Sequence, residues 1–152
     1  MEHLKLLTLT FVIAFKICIA SSDEMQEIVD AQTKCQKEHG ITDETFIEIR
    51  NREMILEDES DESMKCLIQC MLVGLGMLKD GQLDVNAVMN IAKPLLDNIE
   101  QQGREVDEES LRSDIANCTD TSQKGECTGG YEMWKCLHGI MSNVMLSAPE
   151  PK

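Results

Sequence analysis

Cysteine is the residue type with the most informative chemistry in this chain. There are seven cysteines but only three histidines in 152 residues, so the sequence points to thiol or disulfide chemistry and not to a metal site built from histidine. The seventh cysteine, Cys18, lies near the N-terminus, and the other six have the spacing Cys35-x30-Cys66-x3-Cys70-x47-Cys118-x8-Cys127-x8-Cys136. An even number of cysteines in a secreted chain predicts three disulfides.

The N-terminal segment has the pattern of a secretory signal peptide. A basic residue precedes the apolar run Leu6–Phe15. If cleavage falls before Ser21, positions −3 and −1 both carry small side chains. A membrane anchor is the alternative, but an uncharged spanning helix needs about 20 residues and Lys16 interrupts this run. The sequence therefore predicts a signal peptide over residues 1–20 and a single secreted, extracellular helical domain over residues 21–152.

The six remaining cysteines must be positioned by helices that face one another. Cys66 and Cys70 are four positions apart and project from one face of a helix, so each must reach another helix. Cys127 and Cys136 are nine positions apart, which puts them on opposite sides of a helix at about 100° per residue. These constraints tie a central helix to at least two others, but they leave fifteen pairings of six cysteines open.

The rest of the pattern predicts an all-α fold, because helical periodicity recurs and no run has strand-like alternation. A first helix is predicted from Asp23 to about His39, with Gly40 as its stop, and Thr42 can cap a second, short helix. The segment Met64–Leu78 has too few polar residues for a solvated face, so we expect a central helix there.

The C-terminal half continues with a turn at residues 79–82 and then the most regular amphipathic helix of the chain, capped by Asp84. Pro94 lies inside this helix and is expected to bend it or split it. The remaining predicted segments are a helix from Asp107, a polar loop at 119–125, a last helix from about 127–131 to about 146, and a polar tail at 147–152.

Composition and missing motifs argue against several classes of function. The formal net charge is −14, from 14 basic and 28 acidic residues, which opposes binding to nucleic acid phosphates or to anionic membranes. The chain has no His-Glu-x-x-His, no Gly-x-Ser-x-Gly and no phosphate-binding glycine loop. After cleavage of the signal peptide, three disulfides would leave no thiol as a nucleophile or a metal ligand. We expect no enzyme activity, no cofactor, no metal and no membrane insertion.

The six-cysteine spacing resembles that of insect odorant-binding proteins of the pheromone- and general-odorant-binding family. The signal peptide, the length of the helical domain, the acidic pI of about 4.5 and the Asp-Gly turn agree with this resemblance, which covers the whole chain. It implies a six-helix fold around an internal apolar cavity and a carrier function for small hydrophobic molecules, such as odorants and pheromones, in aqueous secretions. It also implies the disulfides Cys35–Cys70, Cys66–Cys127 and Cys118–Cys136.

Two features depart from the family pattern. The gap of 47 residues between Cys70 and Cys118 is longer than usual, and we place the extra residues around Ile99–Glu109, on the surface near one mouth of the cavity. Aromatic residues are also scarce in the predicted mature chain, where they are limited to Phe46, Tyr131 and Trp134. A methionine-rich wall is deformable, so we expect flexible apolar ligands and broad selectivity.

The family places its pocket between converging helices, and helical periodicity suggests which residues face it. The ligand-binding residues that we predict are Met71, Leu75, Leu78, Val88, Met89, Ala92, Leu96, Leu111, Ile115, Tyr131, Trp134, Leu137 and Met141. Each of them could instead be an ordinary core residue, because an apolar stripe looks the same against a ligand and against another side chain. Tyr131 is the candidate for a hydroxyl contact to the ligand.

Three polar features have both a functional and a structural interpretation. His39 and His138 are candidate pH triggers for ligand release, but we prefer a structural role for both. Asn117-Cys118-Thr119 has the form of a glycosylation sequon, and we expect low occupancy because its middle residue is a predicted disulfide cysteine.

Other functions remain open. The second hypothesis is a non-olfactory secreted protein that acts through protein–protein contacts or as a scavenger, because relatives on this scaffold occur in saliva, venom and reproductive fluid. A filled core would favour this second hypothesis, whereas an open cavity would favour carriage. Acidity and cysteine spacing oppose a membrane-active protein like the saposins, and no nucleophile–base set supports a hydrolase. The sequence does not identify the ligand, the tissue, the oligomeric state, or receptor and homodimer contacts.

Overall fold

Six helices and one short hairpin make up the part of the chain that the computed structural model describes, residues 25–118 and 126–146. The elements are α1 (residues 25–39), α2 (Asp43–Asn51), α3 (Glu62–Gly74), β1 (Leu78–Lys79), β2 (Gln82–Leu83), α4 (Val85–Gln101), α5 (Glu108–Ala116) and α6 (Thr128–Leu146). The sequence predictions for the signal peptide, the Asp23 cap, the loop at 119–125 and the tail at 147–152 fall outside the described residues.

Four helices begin at side-chain caps that the sequence supplies. Thr42, Asp61, Asp84 and Asp107 each stand just before α2, α3, α4 and α5, and each side chain accepts a hydrogen bond from the backbone N–H three positions later. Each such cap contributes about 1 kcal/mol relative to alanine, because it satisfies an N–H that the helix itself leaves unpaired. The predicted starts at Thr42, Asp84 and Asp107 are therefore right.

The end of α3 differs from the prediction, which extended this helix to Leu78. The helix ends at Gly74, and Gly76 follows with a φ of 69°, the left-handed conformation that commonly stops a helix. Leu78 instead pairs with Leu83 in an antiparallel hairpin. Asp80 and Gly81 both have positive φ at its tip, as a two-residue hairpin turn requires. The predicted turn is right, but the expectation of no strands missed this hairpin.

Helix α4 runs without interruption from Val85 to Gln101 although Pro94 lies inside it. Proline has no N–H to donate to the carbonyl of Asn90, so one helical hydrogen bond is missing. Pro94 is exposed, and solvent can satisfy that carbonyl. Pro94 therefore does not split the helix.

Three disulfides tie four of the helices together. They join Cys35 in α1 to Cys70 in α3, Cys66 in α3 to Cys127 just before α6, and Cys118 just after α5 to Cys136 in α6. This is the pairing that the family resemblance implies. Each closed loop contributes about 2–4 kcal/mol by restricting the unfolded chain.

The core has two parts on either side of α3. The smaller cluster contains Cys35, Phe46, Ile49 and Leu67 and joins α1, α2 and α3. The larger cluster lies among α3, the hairpin, α4, α5 and α6 and contains Leu72, Met77, Leu78, Val88, Met89, Leu96, Leu111, Ile115, Met133 and Leu137. Both clusters are apolar, as expected for the buried sides of amphipathic helices.

The segment predicted to hold extra residues, Ile99–Glu109, consists of the end of α4, a connection and the start of α5. Gly103 has a φ of 77° just past the end of α4, and Arg104 Nη1 donates a hydrogen bond to the backbone carbonyl of Met145 at 3.3 Å. The connection therefore lies against the C-terminal end of α6. None of the helices in residues 25–118 and 126–146 is long and apolar enough to cross a membrane.

Candidate ligand-binding cavity

A cavity of about 480 Å³ lies between the end of α2 and helices α3, α4 and α6. Its apolar wall consists of Met54, Ile68, Met71, Leu72, Leu75, Met77, Val88, Ile91, Ala92, Leu95, Trp134, Leu137, Met141 and Met145. The volume falls within the usual range of small-molecule sites, roughly 300–1,000 Å³.

Each of the three main helices contributes a stripe at helical spacing. The stripe on α3 consists of Ile68, Met71, Leu72 and Leu75, and that on α4 of Val88, Ile91, Ala92 and Leu95. The stripe on α6 consists of Trp134, Leu137, Met141 and Met145. Residues three and four positions apart share a helix face, so the sequence itself aligns these side chains on one surface.

Four polar side chains complete the wall, and they come from two places. Arg50 and Glu53 lie at the end of α2 and just beyond it, and His138 and Ser142 lie one turn apart on α6. His138 Nε2 and Glu53 Oε2 are within hydrogen-bonding distance and link these two places. Glu53 has a φ of 56°, a conformation that costs roughly 1–2 kcal/mol for a residue with a side chain.

Seven of the thirteen predicted ligand-binding residues lie on the cavity wall: Met71, Leu75, Val88, Ala92, Trp134, Leu137 and Met141. The other six lie elsewhere. Leu78, Met89, Leu96, Leu111 and Ile115 pack against one another and their neighbours in the larger core cluster. Adjacent positions on a helix differ by about 100°, so Val88 and Leu95 reach the cavity while Met89 and Leu96 belong to the core shared with α5.

The chain matches the model of the PBP/GOBP family over residues 20–139. It belongs to the PBP/GOBP family. It is 22% identical to general odorant-binding protein 56a of Drosophila melanogaster over 132 residues, which are 86% of this chain and 82% of that protein. Among solved structures it is similar to the fatty acid binding protein OBP56a from the oral disk of the blowfly Phormia regina. The TM-score is 0.59 at 18% identity, over 80% of this chain and 94% of that one.

Family membership confirms the resemblance inferred from the cysteine spacing. The shared fold confirms the predicted six-helix architecture. They also support the coarse function of this PBP/GOBP protein as a small-ligand-binding carrier. At 18% identity the blowfly structure shows the fold alone, so the identity of the ligand does not follow from it.

Tyr131, the predicted hydroxyl contact, does not reach the cavity of this PBP/GOBP protein. Its side chain is fully buried, and its hydroxyl group accepts a hydrogen bond from the backbone N–H of Leu56 at 2.9 Å. A second hydrogen bond joins the hydroxyl to Glu59 Oε1 at 3.4 Å. Burial raises the pKa of Tyr131 above its usual value. Tyr131 therefore fixes the connection between α2 and α3, which carries Met54 to the cavity.

The same connection is also held by an ion pair. Lys135 Nζ lies 2.9 Å from Glu59 Oε1 and 2.9 Å from Glu132 Oε1. The hydrogen bond from Lys135 lowers the pKa of Glu59. Burial opposes the charged form of Lys135, but its hydrogen bonds to Glu59 and Glu132 outweigh burial and raise its pKa.

Two groups of potential metal ligands in the described residues contain disulfide cysteines. One combines Glu38 and His39 with Cys70, and the other combines Glu62 with the bonded pair Cys66 and Cys127. A disulfide sulfur lacks the thiolate charge that makes cysteine a metal ligand. Neither group carries metal chemistry while the disulfides are intact.

Two groups stand out among the wall residues that periodicity missed. Ile91, Leu95 and Met145 lie one turn from predicted residues, so a wider stripe would have included them. Arg50 and Glu53 gave no signal in the sequence, because they reach the cavity only where α2 ends and the chain turns with positive φ.

Proposed function

We propose that this protein is a secreted, non-enzymatic carrier that reversibly binds small hydrophobic molecules, such as an odorant, a pheromone or another apolar semiochemical, in an aqueous secretion. The observation that carries the proposal is the cavity of about 480 Å³ walled by apolar stripes of α3, α4 and α6. An open apolar cavity of this size favours carriage over a role through surface contacts alone.

The chemistry of the wall favours flexible aliphatic ligands. Five methionines, Met54, Met71, Met77, Met141 and Met145, contribute to it, and methionine adapts to irregular shapes. Burial of roughly ten methylene groups at about 0.8 kcal/mol each would supply about 8 kcal/mol, before the entropy lost on binding is subtracted. A micromolar dissociation constant corresponds to about 8 kcal/mol, so we expect the burial of about ten methylene groups to give micromolar affinity at most, and weaker affinity once the entropy cost is subtracted.

Two observations support secretion. The three disulfides are typical of proteins that fold in an oxidising compartment. The sequence also predicts a signal peptide over residues 1–20. Expression of the full chain in insect cells should deliver the protein to the medium with Ser21 as its first residue, and N-terminal sequencing would check this.

The geometry of the polar residues on the wall supports a non-enzymatic role. Ser142, His138 and Glu53 all line the cavity, yet in the described residues no hydrogen bond joins the hydroxyl group of Ser142 to the ring of His138. Activation of a serine by histidine requires that contact. We therefore assign these groups to the rim of a binding site.

The deciding experiment is a titration of the secreted, oxidised protein with a neutral fluorescent probe such as N-phenylnaphthylamine. Ligands of several classes, including long-chain alcohols, esters, acids and small aromatics, would then compete with the probe. Trp134 lies on the wall and gives an internal fluorescence signal. Saturable binding at one site with competitive displacement supports carriage. If the folded protein shows no saturable binding, the proposal is wrong and a protein partner becomes the better hypothesis.

A further inference from the structure

The polar groups of the cavity wall lie together and do not alternate with the apolar ones. The backbone N–H of Glu53 donates to the carbonyl of Arg50 at 2.9 Å, His138 and Ser142 are one helical turn apart, and the contact between Glu53 and His138 joins the two pairs. Apart from the indole N–H of Trp134, the rest of the wall is apolar. A cavity with one polar end fits a molecule with a single polar end and an apolar body.

The charges at this polar end differ in how they are paired. Glu53 contacts His138, so its carboxylate already has a partner. Among the described residues, Arg50 has no carboxylate within ion-pair distance, although acidic residues outnumber basic ones by 28 to 14. Arg52, two positions along, lies 2.9 Å from Glu57 and does not line the cavity. Arg50 is thus an exposed cation at the cavity wall that lacks an acidic partner within residues 25–118 and 126–146.

We infer that Arg50 is a specificity-determining residue that binds the carboxylate of a long-chain monocarboxylate whose alkyl chain lies along α3, α4 and α6. This inference rests on the proposed carrier function. The planar guanidinium group can form two parallel hydrogen bonds to a carboxylate, and such charge-assisted bonds are roughly twice as strong as neutral ones. Ser142, one helical turn from His138 on α6, is a further hydroxyl donor on the wall.

Local and overall charge make opposite predictions for this site. The net charge of −14 attracts cationic amphiphiles and repels anionic ones. At physiological ionic strength, however, charges more than about 8 Å apart are largely screened, whereas a contact with Arg50 is not. A preference for acids over matched cations would therefore identify a local site.

The test is a displacement assay near neutral pH with three ligands of the same chain length: dodecanoate, dodecanol and dodecyltrimethylammonium. The native protein should bind dodecanoate roughly three- to tenfold more tightly than dodecanol, the modest factor expected for a partly exposed ion pair. Dodecyltrimethylammonium should bind most weakly. The R50Q variant should lose the preference for dodecanoate, measured as the ratio of its dodecanoate affinity to its dodecanol affinity.

The control is R52Q, which removes the same charge two positions away. It should keep the native ratio of dodecanoate to dodecanol affinity, and R50K should restore part of the ratio lost in R50Q. The inference is wrong if the native protein prefers the cation or the alcohol, or if R52Q lowers the ratio as much as R50Q. Failure of all three ligands to bind would instead overturn the carrier function on which the inference rests.

Discussion

The phenolic oxygen of Tyr131 lies 2.9 Å from the backbone nitrogen of Leu56, although 75 positions separate the two residues in the chain. This hydrogen bond fastens the connection between α2 and α3 to the first turns of α6. The ion pair of Glu59 with Lys135, four residues further along α6, holds the same connection. The contact of Glu53 with His138 holds it next to the cavity. One face of α6 thus holds the segment that carries Arg50, Glu53 and Met54 to the cavity wall.

Replacing Tyr131 by phenylalanine should destabilise the protein by about 1–3 kcal/mol, because the backbone N–H of Leu56 would lose its acceptor in a partly buried position. Urea unfolding followed by Trp134 fluorescence would measure the change. A loss of less than about 0.5 kcal/mol would mean that water replaces the hydroxyl group, and that the hydrogen bond does not hold the connection.

The ion pair between Glu59 and Lys135 should make stability depend on pH in the acidic range. The hydrogen bond from Lys135 lowers the pKa of Glu59 below its ordinary value of 4.5, so the unfolded chain binds more protons than the folded one in this range. The stabilisation is therefore present above pH 4.5 and is lost as the pH falls through the lowered pKa. Both side chains are partly exposed, so we expect less than about 1 kcal/mol.

Urea unfolding of native protein and E59Q at several pH values would test this. The difference in unfolding free energy should be largest near neutral pH and vanish in strong acid. E48Q is a matched control, because Glu48 is an exposed acid on α2 without an ion pair among the described residues. A constant difference between native protein and E59Q at every pH would contradict the assignment.

Two glycines of α6 should respond in opposite directions to alanine. A Cβ atom at Gly130 would lie 2.8 Å from Cβ of Gln69, whose side chain also accepts the N–H of Gly130 at 3.3 Å. The G130A variant should therefore lose about 1–3 kcal/mol through overpacking. A Cβ atom at Gly139 meets nothing within 4 Å, so G139A should gain about 0.5–1 kcal/mol of helix stability.

Thermal unfolding of the two variants side by side would check both signs. Equal and small shifts would show that Gln69 moves aside, and that the contact between α3 and α6 is looser than the distances indicate.

Filling the cavity should weaken binding without unfolding the protein. Ala92 is partly buried on the wall, and a phenyl group there would occupy space that a ligand needs. We expect A92F to lower the affinity for a fluorescent apolar probe by at least about tenfold, since roughly two displaced methylenes account for that factor. A116F adds the same side chain at an exposed position of α5 and should bind normally. Native affinity in A92F would place the ligand outside the cavity.

Local physical rules explain which parts of the fold were predictable. Caps such as Asp84, the turn at Asp80 and Gly81, and helical periodicity depend on neighbours within a few positions, and the structure agrees with the sequence there. The end of α3 was predicted too late, because apolar residues continue past Gly74 into the buried strand residue Leu78. Apolar character alone does not distinguish a helix from a buried strand.

The cavity was only partly predictable for a different reason. Periodicity identifies the apolar sector of a helix, but not which part of that sector meets another helix. Leu95 and Leu96 are adjacent and apolar, yet only Leu95 lies on the cavity wall. The role of Tyr131 depends on Leu56, and the placement of Arg50 depends on the end of α2, so both require the tertiary structure. The disulfide pairing came from the family resemblance, since geometry left it open.

The positions of the disulfides give the cavity wall a cross-linked part and a part without cross-links. Cross-links join α1, α3, α6 and the end of α5 into a stiff frame, whereas α4 contains no cysteine and is held by packing and by non-covalent bonds such as that from Arg112 Nη1 to Asn86 Oδ1 at 2.9 Å. Val88, Ile91, Ala92 and Leu95 therefore form the compliant side of the cavity. We therefore expect ligands of different length to be accommodated by displacement of α4 against a fixed frame, so that the breadth of the carrier's selectivity depends on the place where covalent cross-links are missing.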